Sequence, residues 1–180
     1  MSLIDETYFQ FEPVFIPGLE SSNGFSSKVG GDRYLALIRT IERFEPAYME
    51  MLLGEDVANE YYADTEDSKW DALIAVLRNE DKKISPIANF VYCEFRRENF
   101  ITTGDNGDML PKVDNMQVVP LEHKLINAWN DMVRQNEKVC KWILDNLIDT
   151  DTPVIDLENE IDITKWTTTY GLLTKENGFL

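Results

Sequence analysis

The chain has 180 residues and a mass of 20.8 kDa, the size of one domain. With 43% hydrophobic and 11% aromatic residues it can fill a core, which excludes general disorder. Subtracting 33 acidic from 17 basic residues leaves a net charge of −16, so phosphate backbones, which are bound by neutralising cations, are repelled and free nucleic acid is not an expected ligand. No apolar run much exceeds Leu73 to Leu77, whereas a membrane-spanning helix needs about 20 such residues. The acidic start Met1-Ser2-Leu3-Ile4-Asp5-Glu6 has no signal-peptide pattern. The expectation is a soluble chain of the cytosol with no membrane partner.

Residues 1–31 do not read as helix. Tyr8 to Gly18 mixes aromatics with Pro13 and Pro17 and supports at most a short edge strand, and Ser21 to Gly31, rich in Ser, Gly and Asn, reads as a flexible connection. Asp32 is a candidate N-cap for a helix whose apolar positions include Tyr34, Ile38 and Ile41, with Leu35, Leu37 and Phe44 beside them. Pro46 lacks an amide proton and predicts a kink or break near Phe44-Glu45. The pattern resumes through Tyr48, Met51 and Leu52 and stops at Gly54, suited to a left-handed C-terminal position; Glu55 to Tyr62 has room for a short helix.

Asp64 or Thr65 can cap a helix to about Arg78, because Trp70, Leu73, Ile74 and Leu77 form one stripe. Ser85-Pro86 opens the next, serine as cap and proline at the first position, with Ile87, Phe90, Val91 and Phe95 inward and Arg96, Arg97 and Glu98 at its wet end. Thr102 to Pro120 is a long excursion, of the length usually associated with function or mobility, and Asn106-Gly107 suits a hairpin tip. From Leu121 the positions Leu125, Trp129, Met132, Cys140, Ile143 and Leu147 recur at helical spacing, with Asn136 the one polar intruder. After Asp149, Ile161 to Tyr170 has β-branched and aromatic character.

No chemistry for catalysis emerges. His123 is the single histidine and reads as solvated or at the core edge, without a nucleophile beside it. Cys93 and Cys140 read as small buried apolar residues, and with His123 they lack zinc-ligand spacing. Asp105 to Asp108 and the run from Asp149 fail the EF-hand ligand order, and no phosphate-binding glycine motif occurs. Carboxylate pairs could be drawn anywhere among 33 acids and carry no specificity. The expectation is no enzyme, no cofactor and no metal.

The segment Ser85-Pro86-Ile87-Ala88-Asn89-Phe90-Val91-Tyr92, followed by Gly104, Gly107, Lys112-Val113-Asp114-Asn115 and Ala128-Trp129-Asn130-Asp131-Met132-Val133, resembles small tailed-phage and prophage structural proteins of the head-tail connector or head-completion type. The similarity covers roughly Arg33 to Leu147 and includes the Leu52-Leu53-Gly54 helix end. It implies a non-enzymatic subunit of a ring at the virion neck, made in the host cytoplasm, oligomeric when assembled and monomeric alone, with its own copies and portal or tail-side proteins as partners. The alternative from another class is a cytosolic helical module that binds a partner peptide in a groove.

The expected fold is mainly α: a four-helix, bundle-like core over 32–149, flanked by an N-terminal arm (1–31) and a C-terminal arm (150–180), extended or in short strands, with a mid-chain loop or hairpin. The candidate partner or subunit contacts are Asn106, Gly107, Met109 and Leu110 on the excursion, and Phe9, Phe11, Phe15, Trp166 and Tyr170 on the arms. The arms carry more apolar surface than a solvated tail should, and they either fold back on their own helices or pair with a neighbour.

Overall fold

In a computed structural model, residues 2–17, 19, 28–65, 67–100, 102–104, 107–109 and 121–148 are described. Five α-helices dominate them: α1 (Lys28–Leu53), α2 (Glu55–Ala63), α3 (Asp71–Leu77), α4 (Pro86–Phe100) and α5 (Leu121–Ile143). The expected mainly helical, bundle-like core is there, with five α-helices where the sequence predicts four, because the short stretch after Gly54 forms a helix of its own. α4 is its centre, packed on α1 along one side and α5 along the other, while α2 folds back on α1 and α3 touches α5.

Local chemistry explains most boundaries. Gly54 ends α1 with φ 82°, a region that favours glycine, and its amide donates to Glu50 O at 2.9 Å. Ser85 caps α4 through its hydroxyl, which accepts from Ile87 N at 3.2 Å, with Pro86 in the first helical position as expected. α5 runs as expected to Ile143, and a π-helical turn, Leu144–Ile148, carries it on to bury Leu147.

Three features differ from expectation. α1 begins at Lys28, not after Asp32, and so takes in Gly30 and Gly31. It also passes Pro46 unbroken. The lost amide bond costs roughly 3 kcal/mol, and the packing of Ile41, Tyr48, Met49, Leu52 and Leu53, each at most 2% exposed, offsets it. The third helix starts later than Asp64 or Thr65: Asp64 closes α2 instead, and Asp67 caps a 3-10 turn, Ser68–Trp70, by accepting from Lys69 N at 3.0 Å, before α3 begins.

The N-terminal segment contains no strand among its described residues; a 3-10 turn, Glu6–Phe9, capped by Asp5, takes its place. Leu3, Ile4, Tyr8, Phe9, Val14, Ile16 and Leu19 all belong to the core. Prolines at 13 and 17 forbid a regular ladder, and burial of these side chains, about 1.5–3 kcal/mol each at most, holds the segment down without one. The expected C-terminal strands fall outside the described residues.

Candidate interaction surface

The two most distinctive sequence segments meet in space. Asn89 on α4 donates through Nδ2 to Ala128 O on α5 at 2.8 Å, and Cys93 lies with Sγ 3.8 Å from Leu125 O. The residue numbers rise on α4 as they fall on α5, so the helices are antiparallel. Asn136, the polar intruder, is fully buried and accepts from the Tyr48 hydroxyl at 2.5 Å, which ties α5 to α1. Its Nδ2 has no hydrogen-bond partner among the described residues. Burial pushes the Tyr48 hydroxyl well above the usual tyrosine range and the Cys93 thiol up to about 12, so both stay protonated. Cys140 is likewise raised by burial; neither cysteine is an activated nucleophile.

Adjacent antiparallel helices need a connection of only about 2–8 residues. Here α4 ends at Phe100 and α5 starts at Leu121, so most of positions 101–120 is surplus to the topology. Part of it forms a two-stranded antiparallel ladder, β1 (Thr102–Gly104) with β2 (Gly107–Met109), in which Thr102 faces Met109 and Gly104 faces Gly107. Gly107, expected at the hairpin tip, pairs with Gly104 within the ladder, and Asn106 lies outside the described residues.

The N-terminal segment docks against both α1 and α4, and a polar clamp on α1 holds its start. Glu45, 3% exposed in the middle of α1, accepts from Leu3 N at 3.0 Å on both carboxylate oxygens, from Ile4 N at 3.4 Å and from Ser2 Oγ at 2.6 Å. Arg78, just past α3, donates to Leu3 O at 3.1 Å while its other nitrogen holds Glu80 at 2.7 Å. Further along, Lys83 Nζ lies 5.0 Å from the centre of the Tyr8 ring, Lys124 on α5 pairs with Glu12 at 2.7 Å, and Arg33 on α1 donates to Pro17 O at 2.7 Å. Burial raises the Glu45 carboxyl above the usual glutamate range, and its hydrogen bonds from Ser2, Leu3 and Ile4 oppose that rise.

Of the sequence-derived contact residues, Phe9 is 0% exposed inside the chain's own core, Phe11 is 58% exposed and Phe15 is half-buried. Gly107 and Met109 fall in β2. Asn106, Leu110, Trp166 and Tyr170 lie outside the described residues. Sequence reading missed Glu45 and Arg78. The signal for Glu45 was available: Ile41, Glu45, Tyr48 and Leu52 follow three- and four-residue spacing, which places a carboxylate in an apolar stripe. Arg78 carried none, since a basic residue after a helix is commonplace. His123 is exposed at the start of α5, and among the described residues no group of three or more His, Cys, Asp or Glu could hold a metal ion. No helix among them is long and apolar enough to cross a membrane. No family model matches the chain, and no match was found among the curated proteins or the solved structures.

Proposed function

We propose that this chain is a non-enzymatic structural protein of a tailed phage or prophage, a head-tail connector or adaptor ring subunit at the virion neck. It acts by oligomerising and by docking to portal or tail-side proteins. The observation that carries this reading is the connection between α4 and α5, which is far longer than two adjacent antiparallel helices require. It leaves the very helix pair that bears the Ser85-to-Tyr92 and Ala128-to-Val133 segments, joined by the Asn89–Ala128 hydrogen bond. Chain length beyond what joining the two helices requires suits a contact with a neighbour. A net charge of −16 suits a ring that DNA passes without sticking.

The test replaces Gly104 to Pro111 by a short linker and measures mass by light scattering, alone and with a portal protein. The expected result is an intact helical monomer that no longer assembles. Assembly equal to that of the unaltered chain overturns the role of the connection, and a full-length chain that stays monomeric with portal protein overturns the ring reading and favours a peptide-binding module.

A further inference from the structure

Glu45 is an acid buried without a counter-charge. It is 3% exposed on α1, and among the described residues no lysine or arginine forms an ion pair with it. Arg78, which grips the same segment, is engaged by Leu3 O and Glu80. The hydrogen-bond partners of Glu45 are all neutral: the amides of Leu3 and Ile4 and the Ser2 hydroxyl. A buried acid in such surroundings is favoured in its neutral form, because a charge taken out of water needs an opposite charge to offset the loss of hydration.

The Ser2 hydroxyl supplies a second, geometric observation. Its Oγ lies 2.6 Å from Glu45 Oε2 and 2.9 Å from Ile4 O. A hydroxyl carries one proton, so it can donate fully to one of these oxygens and not to both. With Glu45 as an anion, the proton goes to Oε2 and Ile4 O is left facing a lone pair. A proton on Oε2 removes the conflict: Oε2–H donates to Ser2 Oγ, and the Ser2 hydroxyl donates to Ile4 O. The amides fit the same arrangement. Leu3 N is 3.0 Å from each carboxyl oxygen, so the carbonyl oxygen Oε1 satisfies it, and the longest contact, Ile4 N at 3.4 Å, falls on Oε2, the weaker acceptor once protonated. Ser2 is exposed, which gives the proton a route to water.

We infer that Glu45 is a proton-bearing latch: its Oε2–H holds Ser2, Ser2 holds Ile4 O, and loss of this one proton loosens residues 2–4 from α1, so that seating of the N-terminal segment responds to pH. The latch lies within one chain and does not depend on the function proposed above. Burial raises the Glu45 carboxyl, while Ser2, the two amides and the charge of the terminal amino group oppose the rise. From α2, Tyr61 and Tyr62 feel the Glu45 charge; burial together with that charge raises both hydroxyls, so they stay neutral while Glu45 titrates. Arg78 acts on Tyr61 and Glu50 on Tyr62. The folded chain therefore holds the Glu45 proton to higher pH than the unfolded chain does, and the latch is closed below the ordinary glutamate range and opens as pH rises through the raised value.

The test uses the full chain. The infrared carbonyl band of the protonated Glu45 carboxyl, isolated as the natural chain minus Glu45→Gln, is titrated. Amide hydrogen exchange at Leu3 and Ile4, corrected for base catalysis, is followed over the same pH range, with Val91 and Tyr92 of α4 as reference. The expected result is that the band disappears with a midpoint above the unperturbed glutamate value of about 4.3. Protection at Leu3 and Ile4 should fall several-fold through that midpoint while protection at Val91 and Tyr92 stays level. In Glu45→Gln, whose amide can donate to Ser2 Oγ as the protonated acid does, protection at Leu3 and Ile4 should stay level too. A midpoint at or below about 4.3 overturns the protonated state, and level protection in the natural chain overturns the latch. The exchange profile of the natural chain decides this last point by itself, so the inference stays exposed to failure even where the glutamine variant does not fold.

Discussion

Two interfaces of the central helices are built on opposite principles. Between α4 and α5 the polar contacts are neutral: an asparagine amide reaching a helix carbonyl, with Ile87, Ala88, Val91, Ala128 and Met132 around it, each at most 1% exposed. Between α1 and the N-terminal segment the polar contact is a titratable carboxyl group taken out of water, with backbone amides as its partners. The first kind of seat is indifferent to pH and tolerant of losing one hydrogen bond. The second is sensitive to both, because its one carboxyl group titrates and serves more than one buried amide.

The largest effect that separates the two sides of the segment's docking is a core truncation. Phe9→Ala should destabilise by about 3–5 kcal/mol, because Phe9 is fully buried, whereas Phe11→Ala, with its ring 58% exposed, should change stability by no more than about 0.5 kcal/mol. Urea denaturation midpoints measure both. Equal midpoints would mean that the segment is only loosely applied and that its burial contributes nothing.

Next in size is the contrast between the two polar seats. Glu45→Ala leaves the Leu3 and Ile4 amides buried without an acceptor, at about 1–3 kcal/mol for each orphaned group. Asn89→Ala loses one neutral hydrogen bond, about 1 kcal/mol, since the Ala128 carbonyl lies within α5 and keeps a helical role. Denaturant titration of the two variants should therefore rank Glu45→Ala as the more damaging. The reverse order would make the α4–α5 bond the critical one.

The pH response sharpens the same contrast. Burial raises the Glu45 carboxyl in the folded chain, so the folded state holds its proton to higher pH than the unfolded state does. The stability linked to this group is fully present below the ordinary glutamate range and is lost as pH rises through the raised value. Thermal melts of Glu45→Gln and the natural chain across that window should show a shallower loss in the variant, because glutamine has no proton to release. Parallel curves would show that Glu45 titrates normally and is better solvated than its burial indicates.

The α4–α5 side was legible in the sequence and the N-terminal side was not, for a physical reason. Helix pairs announce themselves by periodicity: Ile87, Val91 and Phe95 facing Leu125 and Met132 follow from spacing alone, and Ser85-Pro86 marks its own helix start. Gly54 was equally plain. The N-terminal segment has no period, since its turn, its prolines and its extended stretches each set side chains at irregular intervals, and only three-dimensional placement decides whether Phe9 or Phe11 is inward. Pro46 misled in the other direction, because a local rule about one amide bond was outweighed by the burial of the helix around it. Glu45 was hidden by its type: an acid in a strongly acidic chain reads as solvated surface unless its position in the apolar stripe is given more weight than its charge.

The smallest expected effect concerns Lys83, which links the turn before α4 to the N-terminal segment. Its backbone has φ 51°, a left-handed conformation that a residue with a Cβ adopts at a cost of roughly 1–2 kcal/mol. The six residues from Asn79 to Ile84 close this turn: Asn79 N donates to Ile84 O at 2.8 Å, Ile84 N returns to Asn79 O at 3.2 Å, and the Asn79 side chain accepts from Lys82 N at 2.8 Å. In compensation, the Lys83 ammonium rests over the Tyr8 ring, an attraction of about 0.5–1 kcal/mol at such a site. Lys83→Ala keeps the backbone cost and loses the ring contact, so it should destabilise by about 0.5–1 kcal/mol. Lys83→Gly loses the same contact but relieves the backbone, partly offset by the greater freedom of glycine in the unfolded chain, so it should be the more stable of the two by up to about 1 kcal/mol. Repeating both substitutions in Tyr8→Leu isolates the ring, since without it the cost of Lys83→Ala should vanish while the Gly-over-Ala advantage persists. If the alanine cost survives removal of the ring, Lys83 acts through the turn alone, and the N-terminal segment is held by its apolar side chains and the clamp without help from this cation.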